Sequence, residues 1–307
     1  MVEELKSATF EEARLKPTPS ASATTLSVRP APKANTGPLH GLWALTQRDL
    51  RKWYGNPIQL LISLIQPVIW LGVFGKALNF GSFIAQSGAP ASVTNAIMLS
   101  TFGTTSYFSY LACGQLAFVV LFTSAFSGMS VVFDRRFGFM NKALSTPVGR
   151  GTVVMAKVFQ SVGRSIVQAA MVLIIAVLLG MDTVSFSLLG VAEAFGVVFL
   201  MATGLSALYV MLALRSSDWQ TQMALINLLN LPLLFASNAL LPAKLMPTWL
   251  QWVVKFNPVS YSTDAIRQLL IGAVGTNTIA LDFGVVLSFA VVLSVAGIVL
   301  SWRLLSK

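Results

Sequence analysis

The chain holds one histidine, His40, and one cysteine, Cys113, which excludes a histidine-based metal centre, a thiolate metal site and a disulfide framework. No catalytic set stands out, and the residues able to do chemistry fall into three groups. The first is a run of mixed charge and large apolar side chains, Asp134, Arg135, Arg136, Phe137, Gly138, Phe139 and Met140, followed by Lys142. Ion-pairing groups beside rings suit a short stiff element that docks on another protein; the same residues also fit an ordinary basic loop at the end of an apolar span. The second group is polar side chains within apolar runs. Asn227, Asn230 and Asn238 share a helical face with Gln220, beside a carbonyl freed by Pro232, and Glu193 lies inside another such run. The asparagines fit either interhelical hydrogen bonding or a polar path. Glu193 fits either a cation site or a pairing with Lys76 or Arg267. The third group is aromatic: Trp70, Tyr107, Phe108 and Tyr110 suit stacking on a flat amphiphile, and equally an interfacial belt.

The elements that must position these residues follow from composition. Only 10% of the 307 residues are charged, 55% are hydrophobic, and no Asp, Glu, Lys or Arg occurs in the 57 residues between Lys76 and Asp134. Mean hydropathy is +0.74. So few charges cannot cover that much apolar surface in water, so the chain is read as an all-α polytopic membrane protein. A net charge of +10 would suit a nucleic-acid binder, but its placement argues otherwise, because the basic residues collect at the ends of apolar spans.

Residues 1–38 carry four glutamates and five prolines, with no apolar core of a signal peptide; they read as a disordered cytoplasmic leader with a short helix near 3–16. Residues 39–307 form the membrane domain. Leu39 to Tyr54 is an amphipathic interfacial helix, with Leu42, Trp43, Thr46, Leu50 and Trp53 on one face and Arg48, Arg51 and Lys52 opposite. Six spans are expected near 57–77, 107–133, 153–180, 186–213, 221–241 and 279–302. The Gly-, Ser-, Pro- and Asn-rich stretch 79–95 reads as loop. The start of the third span carries Lys157, Gln160, Ser161, Arg164 and Gln168 on one face, as though rising from the headgroups. Between spans five and six, Trp249, Trp252, Val253 and Phe256 mark a short outer-leaflet helix, and Asn257-Pro258 starts a second that ends at Gly272. Asp282 reads as a solvated end-group. With both termini cytoplasmic, seventeen basic residues fall inside and four outside, which sets the orientation in the plasma membrane.

Two stretches resemble the type-2 ABC exporter permeases, and within them the daunorubicin-resistance branch. One is Asp134 to Met140 continuing through Leu144-Ser145-Thr146-Pro147-Val148-Gly149-Arg150 to Lys157. The other comprises Leu231-Pro232, Leu241-Pro242, Met246-Pro247-Thr248-Trp249, Phe256-Asn257-Pro258 and Asp264-Ala265-Ile266-Arg267; Gln66-Pro67 matches a pair in the first span, and Asn238 departs from a usual glycine. The resemblance covers residues 39–307. It implies six spans, a second permease subunit (as homo- or heterodimer) and a pair of ATPase subunits on the cytoplasmic face. It also raises the reading of the Asp134–Lys142 connector as the coupling element to the ATPase. From their polarity and rings, Gln66, Trp70, Tyr107, Tyr110, Glu193, Asn227, Asn230 and Asn238 are read as a substrate path or subunit seam. No phosphate-binding loop G-x-x-x-x-G-K-[ST] occurs, so ATP and Mg belong to the partner ATPase and this chain is expected to carry no cofactor.

The implied activity is export of hydrophobic or amphiphilic molecules. Two alternatives stand beside it: a polysaccharide or glycolipid exporter of the same family, and an intramembrane lipid-modifying enzyme built on Asp182, Glu193, Asp264 and Asp282.

Overall fold

The computed structural model describes residues 38–304 apart from 79, 146–148, 184 and 217, so the leader lies outside the described residues but for Pro38. Every regular element among the described residues is helical. An amphipathic helix α1 (Pro38–Tyr54) leads into α2 (Pro57–Ile69). Pro67 inside α2 offers no N–H to the ladder, and the rod continues as a π turn (Trp70–Phe74) and a last α turn (Gly75–Ala77). Then follow α3 (Phe80–Gln86), α4 (Ala91–Phe102), α5 (Tyr107–Arg136), α6 (Phe139–Leu144), α7 (Arg150–Leu178) and α8 (Leu188–Arg215). The chain closes with α9 (Trp219–Phe235), α10 (Thr248–Phe256), α11 (Pro258–Ile271) and α12 (Ile279–Leu304).

Side-chain caps set several helix starts. Ser106 accepts from the Ser109 N–H at 3.2 Å, Ser187 from Gly190 at 2.9 Å and Asp218 from Thr221 at 2.8 Å. Asn257 accepts from the Val259 N–H at 3.0 Å, with Pro258 in the first turn.

Among the described residues, five stretches are long and apolar enough to cross a membrane: Leu60–Gln86, Ala91–Arg136, Arg150–Leu178, Leu188–Arg215 and Ile279–Arg303. The stretch expected to be the fifth span, 221–241, is instead the 17-residue α9 followed by irregular backbone from Ala236. Asn257 explains the stop: its side-chain amide donates to the carbonyls of Leu233 (2.8 Å) and Ala236 (2.6 Å), taking up carbonyls at the end of α9. The expected loop at 79–95 is also corrected. It holds α3 and the start of α4, since Phe80, Phe102, Tyr107 and Tyr110 stack edge to face and give these short helices a packing surface.

The core lies where α8 packs on α5, α7, α11 and α12. Small residues let the backbones approach. A methyl group on Gly128 would sit 2.5 Å from the Tyr209 carbonyl oxygen, and one on Gly204 would sit 2.6 Å from the Phe289 ring. A polar seam runs through this core. Ser206 donates to Ser161 at 2.7 Å, Thr123 to Gln168, and the fully buried Tyr209 to the Asn230 carbonyl oxygen.

Candidate functional site

The connector after α5 has a fixed base and a free tip. At the base, two carboxylates and two cations form a closed set of four charges. Lys157 Nζ of α7 lies 2.6 Å from Asp49 of α1 and 2.5 Å from Asp134 of α5. Arg48 Nη2 lies 2.5 Å from Asp49 and 3.6 Å from Asp134. Lys157 and Asp49 are buried, so each ion depends on the others for compensation. Burial alone would raise the Asp49 carboxyl, but Lys157 and Arg48 outweigh it and hold it below its ordinary 3.8. The polar face of the third span therefore turns inward onto α1 and α5.

Arg48, expected on the solvent-facing back of α1, also lies over the Phe139 ring of α6 at 3.6 Å. Met140 is buried against the α7 residues Val153 and Val154. Arg135 reaches across to α8 and donates to the Leu214 carbonyl at 2.8 Å, filling an acceptor at that helix's C-terminus. Asp134, Arg135, Phe139 and Met140 thus anchor the connector to α1, α7 and α8.

The tip is Arg136, Phe137 and Gly138, with Lys142 exposed on α6. Phe137 is 78% exposed and stacks on Phe133, at 6.2 Å between centroids. Gly138 has φ +71° and open space around its α-carbon. Its glycine is required by the left-handed turn that separates α5 from α6, which leaves Phe137 projecting.

The residues expected along a membrane path do not converge. Gln66 lines a cleft of about 430 Å3 between α2, α5 and α7, walled by Pro67, Phe122, Phe126 and Met129 and reaching Arg164 and Gln168. Trp70 stands one turn further along, stacked on Phe74 at 4.4 Å and 5.7 Å from Phe118. Tyr107 and Tyr110 are buried in the aromatic cluster with Phe102. Asn227 is exposed on α9 and Asn230 is buried against Tyr209. Asn238 lies beyond the end of α9 and so does not share a helical face with them; its carbonyl accepts from the Tyr110 hydroxyl at 2.9 Å. Glu193 is exposed on α8, and its expected partners are engaged elsewhere: Lys76 over the Phe108 ring at 4.6 Å, and Arg267 as follows.

Arg267 is buried at the opposite end of α5 from the connector. It donates to the carbonyls of Tyr110 (3.2 Å) and Ala239 (2.9 Å) and lies 3.4 Å from the Tyr110 ring centroid. Beside it, Asp264 accepts from the N–H groups of Thr276 (2.8 Å) and Asn277 (3.2 Å). Burial raises the Asp264 carboxyl above its ordinary 3.8, against those backbone donors and Arg267. Asp282 is a correction: it is fully buried rather than solvated, accepting from Gln268 (3.1 Å) and Asn277 (3.2 Å). Asp49 and Lys157 were the residues that sequence reasoning missed as a pair. The available signal was that Asp49 is the single acid in 39–54, placed between Thr46 and Trp53 on the apolar face.

A bundle of long apolar helices with an anchored, protruding connector defines a polytopic membrane protein. Residues 40–271 match the ABC-2 type transporter family, and the chain belongs to it. It is 31% identical over 229 residues to a transport permease designated ycf38 from Cyanophora paradoxa, covering 74% of this chain and 73% of that one. It is 25% identical over 219 residues to a daunorubicin resistance ABC transporter permease protein of Streptomyces coeruleorubidus, covering 71% of each. Nodulation protein J of Rhizobium leguminosarum bv. trifolii is 25% identical over 232 residues, 75% of this chain and 80% of that one.

Proposed function

We propose that this chain is the membrane-spanning subunit of an ATP-driven exporter of hydrophobic or amphiphilic molecules. A separate pair of ATPase subunits energises it, ATP and Mg are bound by those subunits, and a second permease subunit completes the pathway. The reading takes six spans, with α9 and the buried turn after it as the fifth and α1 and α10 lying in the two interfaces. Both termini and the connector face the cytoplasm of the plasma membrane. The observation that carries it is the connector: an ion-locked base that ties α1, α5 and α7 together and a bare aromatic tip at Phe137. Force applied at that tip reaches three helices through short, compensated contacts. Membership in a transport permease family and the name of the daunorubicin relative support the same reading.

The cleft favours an amphiphile over a hydrophilic polysaccharide, because Pro67, Phe122, Phe126 and Met129 offer apolar wall. An intramembrane enzyme is less well supported. Asp264 and Asp282 meet at Asn277, but both are held by N–H donors, and Glu193 stands apart from them on the surface of α8.

Purification of the full-length chain from its native membrane tests the proposal. A copurifying subunit should bind and hydrolyse ATP, and the chain freed of it should not. Cysteine at Ser87 and at Ser145, in a Cys113→Ser background, should react from opposite sides of the membrane. Hydrolysis by the single chain, or labelling from one side, contradicts the proposal.

A further inference from the structure

Arg164 stands at the inner end of the cleft between α2, α5 and α7 with no carboxylate within ion-pair distance among the described residues; Asp49 acts on it only from further away. Its nearest acid, Asp49, gives both carboxylate oxygens to Arg48 and Lys157. Arg164 donates from Nη2 to the Asp49 backbone carbonyl at 3.3 Å and, with the Gln160 amide turned so that its oxygen faces the guanidinium, from Nε at 3.0 Å and Nη2 at 2.8 Å to that oxygen. Nη1 makes no hydrogen bond among the described residues. Trp53 covers the guanidinium from one side at 5.6 Å. Among the described residues, Arg164 is the one formal charge lining the cleft.

A half-buried guanidinium with spare donors is costly in an apolar setting unless an anion meets it. The rest of the lining specifies what that anion is attached to. Gln168 and Thr123 lie beside Arg164, while Phe122, Met129 and Pro67 lead outward to Ile62 and Phe126, which are 62% and 58% exposed at the mouth. A small hydrophilic anion would leave those walls bare. A cationic amphiphile would set like charge against Arg164.

We propose that the cleft binds an acidic phospholipid of the bilayer, its headgroup on Arg164 and an acyl chain along Phe122 and Phe126. Basic pockets between membrane helices commonly take such headgroups. The volume of about 430 Å3 falls within the roughly 300–1,000 Å3 of ligand pockets. This names the ligand class of the cleft that the export reading uses, and rests on that reading only for the step from binding to transport.

Trp53 supplies the readout. The full-length protein is placed in phosphatidylcholine nanodiscs containing either phosphatidylglycerol or phosphatidylcholine with brominated acyl chains, without nucleotide or partner. Subtracting the Trp53→Phe protein isolates this residue from the other six tryptophans. Brominated phosphatidylglycerol should half-quench Trp53 at about tenfold lower mole fraction than brominated phosphatidylcholine, the size of one charge-assisted contact. Arg164→Gln should bring the two lipids level, and Arg164→Lys should keep most of the preference. Equal quenching in the unaltered protein overturns the proposal, and so does a preference that survives Arg164→Gln. Should Arg164→Gln not fold, the lipid preference of the unaltered protein and of Arg164→Lys decides. Absence of an ATPase partner would defeat the export reading without touching this result.

Discussion

The two ends of α5 solve the same problem, a buried cation, in opposite ways. At the connector end Lys157 is met by two carboxylates from two other helices, and Arg48 closes the set. At the far end Arg267 is met by two backbone carbonyls and a ring. The carbonyls of Tyr110 and Ala239 cannot ionise, so the far end is a clamp whose acceptors do not titrate. It satisfies the irregular backbone after α9, which apolar surroundings tolerate only when its polar groups find partners within the protein. At the connector end the partners are ionisable side chains, whose contacts depend on charge and on the positions of α1, α5 and α7. Under the proposed coupling role, the connector end is where movement of an attached partner would enter the bundle.

The comparison is broken most severely by Lys157→Met. It leaves Asp49 and Asp134 with Arg48 alone, and removing one partner of a buried ion set destabilises by about 3–5 kcal/mol. Thermal unfolding followed by tryptophan fluorescence should show the largest fall in midpoint for this variant. Arg267→Met should lower stability less, about 1.5–3 kcal/mol, because the lost contacts are charge-assisted hydrogen bonds to backbone. A larger loss for Arg267→Met than for Lys157→Met would reverse the ranking of the two ends.

The smallest effect is one of sign under acid. Asp49 is held below 3.8 in the folded chain, so its contribution is present above that value and is lost as pH falls through the lower folded one. Asp264 is raised above 3.8, so its contribution is greatest below that value and is lost as pH rises through the higher folded one. Between roughly pH 6 and 3, the stability margin of the native chain over Asp49→Asn should therefore shrink, while its margin over Asp264→Asn should widen. Parallel slopes would mean that the two ends share one electrostatic character.

Much of the helical frame was legible because hydropathy and caps act locally. Ser187, Asp218 and Asn257 start helices within two residues of where the pattern places them. The end of α9 was not legible: it depends on Asn257 reaching back to Leu233 and Ala236, a contact between residues more than twenty apart. The connector was legible as a run of charges and rings, but its division was not. Asp134 and Phe139 look as free as Phe137 in sequence, and only the arrival of Lys157 and Arg48 from other helices separates base from tip. Asp282 was misread for a related reason, since its solvation is replaced by Gln268 of α11 and by Asn277 of the segment before α12. The path residues were the least legible, because polarity in an apolar run marks a need for a partner and not which partner: Asn230 found Tyr209, and Gln66 found the cleft.

The coupling account is tested most directly at Phe137, whose ring is free of the base. Phe137→Ala should leave the unfolding midpoint unchanged. Its affinity for the copurifying ATPase subunit, measured on the full-length chain, should fall by the value of one buried ring, about 1.5–3 kcal/mol, and transport should fall with it. Phe139→Ala, which removes the surface under Arg48, should instead lower stability first. Native partner affinity together with native transport in Phe137→Ala would contradict the account and leave the connector as a topogenic loop.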